Sequence, residues 1–237
     1  MSSYGGANIV TDGLVLSLDA ANRKSYVTGS TTWKDISGNI NDGSFVGAVT
    51  GSSSAISFPY NTGSAVAYVN VPNSSVLQNT GNTNFTVSTW FAFNSSYLAG
   101  NRNLIEKPQN SVNPGWSIWF DASTLRVRLA YTGNYVDVFG GPSSAFIPGS
   151  FYNLVMVISR TNSLCYWYNN GALLISGSIS ALGDMTNTVS IRIGAGTAGF
   201  GNDTFGGSIP SVMMYNRALS ASEIQQNYNA LKSRFNL

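Results

Sequence analysis

Short apolar runs alternate with clusters of Gly, Ser, Asn and Asp along nearly the whole chain. Runs of this kind, bounded by turn residues, predict strands. They fall at 14–20, 65–71, 84–93, 115–121 and 124–131, then at 151–159, 163–176, 189–195 and 207–216. In "LRVRLAY" Leu125, Val127 and Leu129 alternate with Arg126 and Arg128, the pattern of an antiparallel strand with one buried and one wet face. "YNNGAL" places Asn170-Gly171 between two apolar runs, a strong two-residue hairpin signal. The period changes only near the end, from Leu219 to Phe235. Ser220 and Glu223 form an S-x-x-E capping box, with Leu219 and Ile224 placed for a hydrophobic staple. Ile224, Tyr228, Leu231 and Phe235 then recur at helical spacing as one apolar stripe. Lys232 and Arg234 fall in the last turn, where cations suit the helix dipole. The pattern predicts a β-rich chain closed by one short helix. Segments 34–47, 131–141 and 194–207 predict loops, and no linker divides the chain, so one domain is expected over 1–237.

Composition narrows the classes of function. Only 9% of residues are charged, against roughly 25% in an ordinary soluble domain. Solubility therefore falls to Ser, Thr, Asn and Gly. A net charge of +2 with 12 Lys and Arg leaves no basic patch for nucleic acid. No run reaches the ~20 apolar residues of a membrane span, so no membrane partner is expected. The first residues, "MSSYGGANIVTDG", lack a basic segment followed by an apolar one, which predicts a chain without its own secretory signal. The single cysteine, Cys165 in "SLCYWY", excludes an internal disulfide and reads as a buried strand residue. With no histidine, neither a Cys-His nor a Ser-His-Asp site can be built.

Four ordered segments resemble a known family. "DGLVLSLDAANRKSY…TTWKDISGNINDGSF", "AYVNVPNSSVL…NFTVSTWF", "FYNLVMVISRTNSLCYWYNNG" and "GGSIPSVMMYNRALSASEI" are similar to the laminin-G-like, concanavalin A-like lectin/glucanase domains found in phage and viral structural proteins. The resemblance implies an all-β fold, a concanavalin A-like antiparallel β-sandwich (jelly roll) with a short C-terminal helix. It further implies that the last strand returns beside the first and that the helix seals one open end of the sandwich. Relatives often carry Gly-x-Ile-Asp in the closing strand, where this chain has Pro210. Proline there removes a carboxylate ligand and belongs at an edge or a bulge. The implied function is a non-enzymatic virion structural or surface-display protein: a capsid decoration, neck or fibre component assembled in a host cytoplasm. Its expected partners are other virion proteins (capsid, neck or tail), cell-surface glycans and further copies of itself in a homo-oligomer. The alternative is a stand-alone carbohydrate-binding adhesin, lectin-like in action.

Three chemistries remain to be weighed. Glycoside hydrolysis needs two facing carboxyls, and glucanases of this fold carry Glu-x-Asp-x-x-Glu on one strand. This chain has only Glu106, beside a turn, and Glu223, in the helix cap; Asp121 and Asp137 from separate loops are the remaining pair. No catalytic residues are expected. Calcium is a second candidate, because Asp35, Ser37, Asn39 and Asp42 cluster oxygen ligands, with Asp19 as a further one. The same residues also suit an Asx-rich turn that bonds its own backbone. The third is sugar recognition by aromatic faces. Trp116, Trp119, Tyr131, Tyr135, Phe139, Tyr166 and Trp167 lie in the middle of the chain, and strand periodicity sends Trp116 and Trp119 to opposite faces. A ligand is expected at Tyr131 and Tyr135 in the 131–141 loop, with Trp119.

Overall fold

The computed structural model describes residues 8–60, 67–78, 83–94, 101–108, 114–121, 124–196 and 204–237. Its first strands are β1 (Leu14–Asp19), β2 (Thr32–Trp33), β3 (Gly43–Val46), β4 (Thr50–Gly51), β5 (Ile56–Phe58), β6 (Tyr68–Val71), β7 (Phe85–Phe93) and β8 (Arg102–Lys107). Then come β9 (Gly115–Phe120), β10 (Thr124–Tyr131), β11 (Asn134–Pro142), β12 (Tyr152–Ser159), β13 (Leu164–Asn169), β14 (Ala172–Ser178), β15 (Ile191–Ile193) and β16 (Gly207–Tyr215). They form two antiparallel sheets. The first runs β14-β13-β12-β7-β16-β5-β4, with β1 also paired to β16; the second runs β11-β10-β9-β8-β15-β6-β3-β2.

The period-2 pattern builds this sandwich directly. In the second sheet Val138, Val127, Ile118, Ile105, Ile193, Val69 and Phe45 are cross-strand partners in one continuous row. The adjoining row, Asp137, Arg128, Ser117, Glu106, Arg192, Asn70 and Ser44, is polar at every position. One row points into the core and the other away from it, because successive side chains leave opposite faces of a strand. The core also holds Trp33, Trp116 and Trp167 and a knot of Phe91, Phe93, Phe120, Phe146 and Phe205. Each such buried side chain contributes roughly 1.5–3 kcal/mol.

The first and last strands pair antiparallel, Leu18 opposite Val212. Along that same side of β16, β5 pairs at Gly207–Ile209 and β1 at Ser211–Tyr215. Pro210 sits at the changeover, within the bulge that shifts the β16–β7 register between Ser208 and Ser211. Its missing N–H thus falls where the ladder is interrupted, while its carbonyl accepts from Ala20 N–H at 2.9 Å. The Asn170-Gly171 hairpin forms as expected: both residues have positive φ, 50° and 79°, as a type I′ turn requires.

The helix α1 spans Ala221–Leu231 and its capping box is made on both sides, Ser220 to Glu223 and back. The stripe then continues through a 3-10 turn, Lys232–Phe235. It does not seal an open end. Ile224 packs in a second cluster with Val155, Val157, Tyr168, Met213 and Tyr215, which lie on the outward side of the first sheet. Tyr228 and Phe235 stack on the outward ring of Trp90, at 5.7 and 4.3 Å between centroids. An outward face carrying these apolar side chains needs a roof, and the helix supplies it. A polar residue completes the joint. Buried Asn227 accepts from Val10 N–H at 2.7 Å and donates to Tyr215 Oη at 3.0 Å, which itself donates to the Val10 carbonyl. Arg217 ties the strand end to the cap, donating to the Asp12 carbonyl and, through two bonds, to Glu223.

One expectation about an element needs correction. Segment 131–141 is not a loop, because only Thr132 and Gly133 turn the chain before β11 begins at Asn134. Glu106 is the next-to-last residue of β8, in a fully buried strand; the segment expected to turn after it, 109–113, lies outside the described residues.

Candidate ligand-binding face

The outward side of β9, β10 and β11 gathers aromatic rings and ion pairs. Arg128 makes two 2.7 Å bonds to Asp137, the residue directly across from it. This contact raises the guanidinium further above its ordinary pKa, so the group is a permanent cation. The guanidinium carbon lies 4.0 Å from the Tyr135 ring centroid and 5.7 Å from that of Trp119, within cation–π range. Two residues back on the same face of β10, Arg126 pairs with Asp121 and lies 4.9 Å from the Phe139 ring. Tyr135 is 51% exposed and Phe139 48%. Two half-wet rings are therefore held by arginines that are themselves fixed by carboxylates. Beside them a cleft of about 230 Å³ runs between β11 and β14, lined by Asp137, Phe139, Ile175, Ser176 and Ser178. Gly177 makes that approach feasible, since a Cβ there would stand 2.6 Å from Val138. Towards the middle of the sheet the outward residues Asn103, Glu106 and Ser117 are buried, with Ser117 Oγ bonded to Glu106 at 3.2 Å. The open flank is the β9–β11 end.

The expected ligand residues divide. Trp119 and Tyr135 meet around Arg128, as neither composition nor a loop reading foresaw. Tyr131 does not join them. It shares the phase of Leu125, Val127 and Leu129 on β10, packs against the main core and lies under Gly183. Trp116 is fully buried and Trp119 is outward, in line with their odd spacing. Arg126 and Arg128 escaped the sequence reading as site residues, while Phe139 entered it only among the mid-chain aromatics and Asp137 only as one acid of a hydrolase pair. "NYVDVF" alternates as plainly as "LRVRL", and pairing the two runs across Thr132-Gly133 would have put Arg128 opposite Asp137.

The acidic loop works as a strand-edge cover. Asp35 accepts four bonds, from the backbone of Ser17, Ser37 and Asn41 and from Ser37 Oγ. Asp42 accepts from Asp35 N–H. Asn39 donates to the Leu14 carbonyl and Asn41 to that of Val15, so side chains satisfy the free side of β1. The Asp19 carboxylate, expected as a further ligand, takes two bonds from Arg234, at 2.6 and 2.9 Å. Among the described residues no three carboxylates converge. The Asx-turn arrangement is the one the loop adopts.

The remaining acids are dispersed. Glu223 lies in the helix cap, where the Arg217 bonds lower its pKa to about 2, whereas Glu106 lies in the second sheet. Asp121 and Asp137 each hold an arginine. Cys165 is buried, and burial pushes its thiol far above the ordinary range.

Fold and sequence together define a lectin-like class. A family model described as "Concanavalin A-like lectin/glucanases superfamily" matches residues 62–225, and the chain belongs to that family. No curated protein sequence matches. Among solved structures, the binding domain of Paraclostridial Mosquitocidal Protein 1 is similar, with a TM-score of 0.72 at 21% identity over 93% of this chain and 52% of that one. The receptor binding domain of botulinum neurotoxin mosaic serotype C/D gives 0.71 at 16% identity over 92% of this chain and 51% of that one. The Trypanosoma rangeli sialidase gives 0.70 at 16% identity, covering 97% of this chain and 35% of the enzyme. The chain thus spans about half the length of the binding domains it resembles. At these identities the likeness is one of fold. No helix of the described residues is long and apolar enough to cross a membrane.

Proposed function

We propose that this chain is a non-enzymatic recognition module that binds saccharide against the outward side of β9–β11. One observation carries the reading: Tyr135, Phe139 and Trp119 stand beside Arg126 and Arg128, whose carboxylate partners hold them in place. Exposed ring faces suit the C–H faces of a sugar, and a fixed Arg–Asp pair offers donors and acceptors to its hydroxyls. Binding sites generally combine such apolar walls with a few placed polar groups. Recognition of this kind moves no proton, which suits a face whose carboxylates, Asp121 and Asp137, are already paired with arginines. The lectin-like family and the toxin binding domains among the structural neighbours are consistent with it.

For its setting we propose the surface of a virus particle, as a capsid decoration, neck or fibre component that contacts other virion proteins. The likeness of the four ordered sequence segments to domains of phage structural proteins supports this setting. Many copies on a particle would turn weak single sites into firm attachment. A glycan array of the isolated protein tests the recognition: a defined group of bound saccharides is expected, and an empty array overturns it. Mass spectrometry of purified particles tests the setting. Absence from particles, with array binding retained, would leave the stand-alone adhesin.

A further inference from the structure

Sheet edges expose rows of N–H and C=O groups that accept another strand, and folded proteins blunt them with short strands, charges, proline or covering loops. Among the described residues this protein blunts its edges one by one. β2 and β4 are two residues long. The free side of β1 is covered by the Asp35, Asn39 and Asn41 side chains. β11 carries Asp137, bound to Arg128, and ends in Pro142.

Among the described residues β14 has none of these devices, and only its Ile175–Ser178 half faces β11, across the cleft beside Phe139. Its seven residues, "ALLISGS", contain no charge, and none occurs anywhere from Thr161 to Gly183. Leu173, Leu174 and Ile175 are 57%, 43% and 44% exposed, on three successive positions. Among the described residues no backbone hydrogen bond joins β14 to β11, the facing edge of the other sheet. Its one irregularity is a bulge at Leu174, between the Trp167–Ile175 and Tyr168–Leu173 pairs. Ile175–Ser178 remain in regular register with Trp167–Leu164. Such an edge is a template for pairing.

We infer that β14 is a self-association edge, on which a second copy of this chain adds its own β14 antiparallel about a two-fold axis. Charge favours a second copy: a neutral edge meets itself without repulsion and offers a charged strand no counter-ion. Size favours it as well. The strand is bulky in its first half and small in its second, so antiparallel pairing about Ile175 sets Leu173 near Gly177 of the copy and Leu174 near Ser176. The contact is isologous and closes at two subunits. A strand pair with three aliphatic residues a side falls short of the ~1,200–2,000 Å² of a standard interface. The dimer is therefore weak and concentration-dependent. The inference does not rest on the saccharide reading, although the paired copy would run along the Ile175–Ser178 wall of the cleft beside Phe139; its test measures mass rather than binding.

Sedimentation of the full chain across a wide concentration range should show the mass rising from one chain towards two. Leu173→Lys with Ile175→Lys should hold it at one chain throughout, with unchanged circular dichroism and melting, because both positions are exposed. Ile175→Cys should form a disulfide-linked dimer under mild oxidation faster than Val27→Cys, a control away from this edge that is the more exposed of the two, 63% against 44%. Buried Cys165 does not compete. A wild-type chain that stays single at every concentration would overturn the inference. So would a dimer that survives the lysines, or cross-linking of Ile175→Cys no faster than the control.

Discussion

The outward faces of the two sheets meet their surroundings in opposite ways. On the first, Val155, Val157, Met213 and Tyr215 are apolar, and α1 with the segment around Val10 roofs them over. On the second, the outward row is polar in every strand, and at its β9–β11 end the rings of Trp119, Tyr135 and Phe139 stand beside ion-paired arginines. Apolar side chains facing water demand a cover, whereas arginines that already have carboxylates and rings as partners do not. The capped helix is thus a structural roof, and the face without it is the one available to a ligand. Under the proposed function, recognition and stability reside on opposite sides of one sandwich.

Substitutions on the two faces should separate accordingly. The largest loss is expected under the roof: Ile224→Ala should cost about 2–5 kcal/mol by cavity formation, read by denaturant unfolding, with saccharide binding unchanged. Asn227→Leu should follow, at about 1–3 kcal/mol, because Val10 N–H and the Tyr215 hydroxyl lose their buried partner. Equal stability in that variant would show that the joint is held by packing alone. Acid should act on the same side. Arg217, more than any other group, holds the Glu223 pKa at about 2 against an ordinary 4.5. A depressed carboxylate contributes stability above its unfolded pKa and loses it as pH falls through the folded one. Wild-type stability should therefore drop between those two values relative to Glu223→Gln, and parallel acid titrations would contradict the ion pair.

On the open face the order of effects reverses. Tyr135→Ala should change stability by no more than ~0.5 kcal/mol, as an exposed substitution does, yet weaken saccharide binding at least tenfold. A large stability loss would mean that the ring belongs to the core after all. The smallest effect belongs to the 34–42 loop. Its Asp35 oxygens already accept from four protein donors, so a chelator should leave the melting temperature where it was. A clear downward shift would restore the calcium reading.

What the sequence revealed depended on how local the governing interaction was. The capping box, the Asn170-Gly171 turn and the alternation of β10 are decided within a few residues, and each is legible. Pro210 announced an edge or a bulge, because a missing N–H has few other places in a sheet. The position of the helix was not legible: its stripe shows that it docks, but not whether an end or a face receives it. That required knowing that Val155, Met213 and Tyr215 point outward together. Asn227 was hidden for the same reason, since its partners are Val10 and Tyr215, distant in sequence. Tyr131 and Tyr135 looked equivalent as neighbours in a polar segment. The hairpin between them places them on opposite sides of the sheet, and only the paired register exposes the Arg128–Asp137 contact that makes Trp119 and Tyr135 one site.

The division between a roofed and an open face can be tested through the five tryptophans. Trp33, Trp90, Trp116 and Trp167 are fully buried, with Trp90 under the helix, while Trp119 faces outward beside Arg128. Titrating the protein with a saccharide found on the glycan array, and following the five indole N–H resonances by NMR, reports on both faces at once. The account predicts that the Trp119 resonance shifts in a saturable way while that of Trp90 stays still. A Trp90 resonance that moves while Trp119 remains fixed would contradict it.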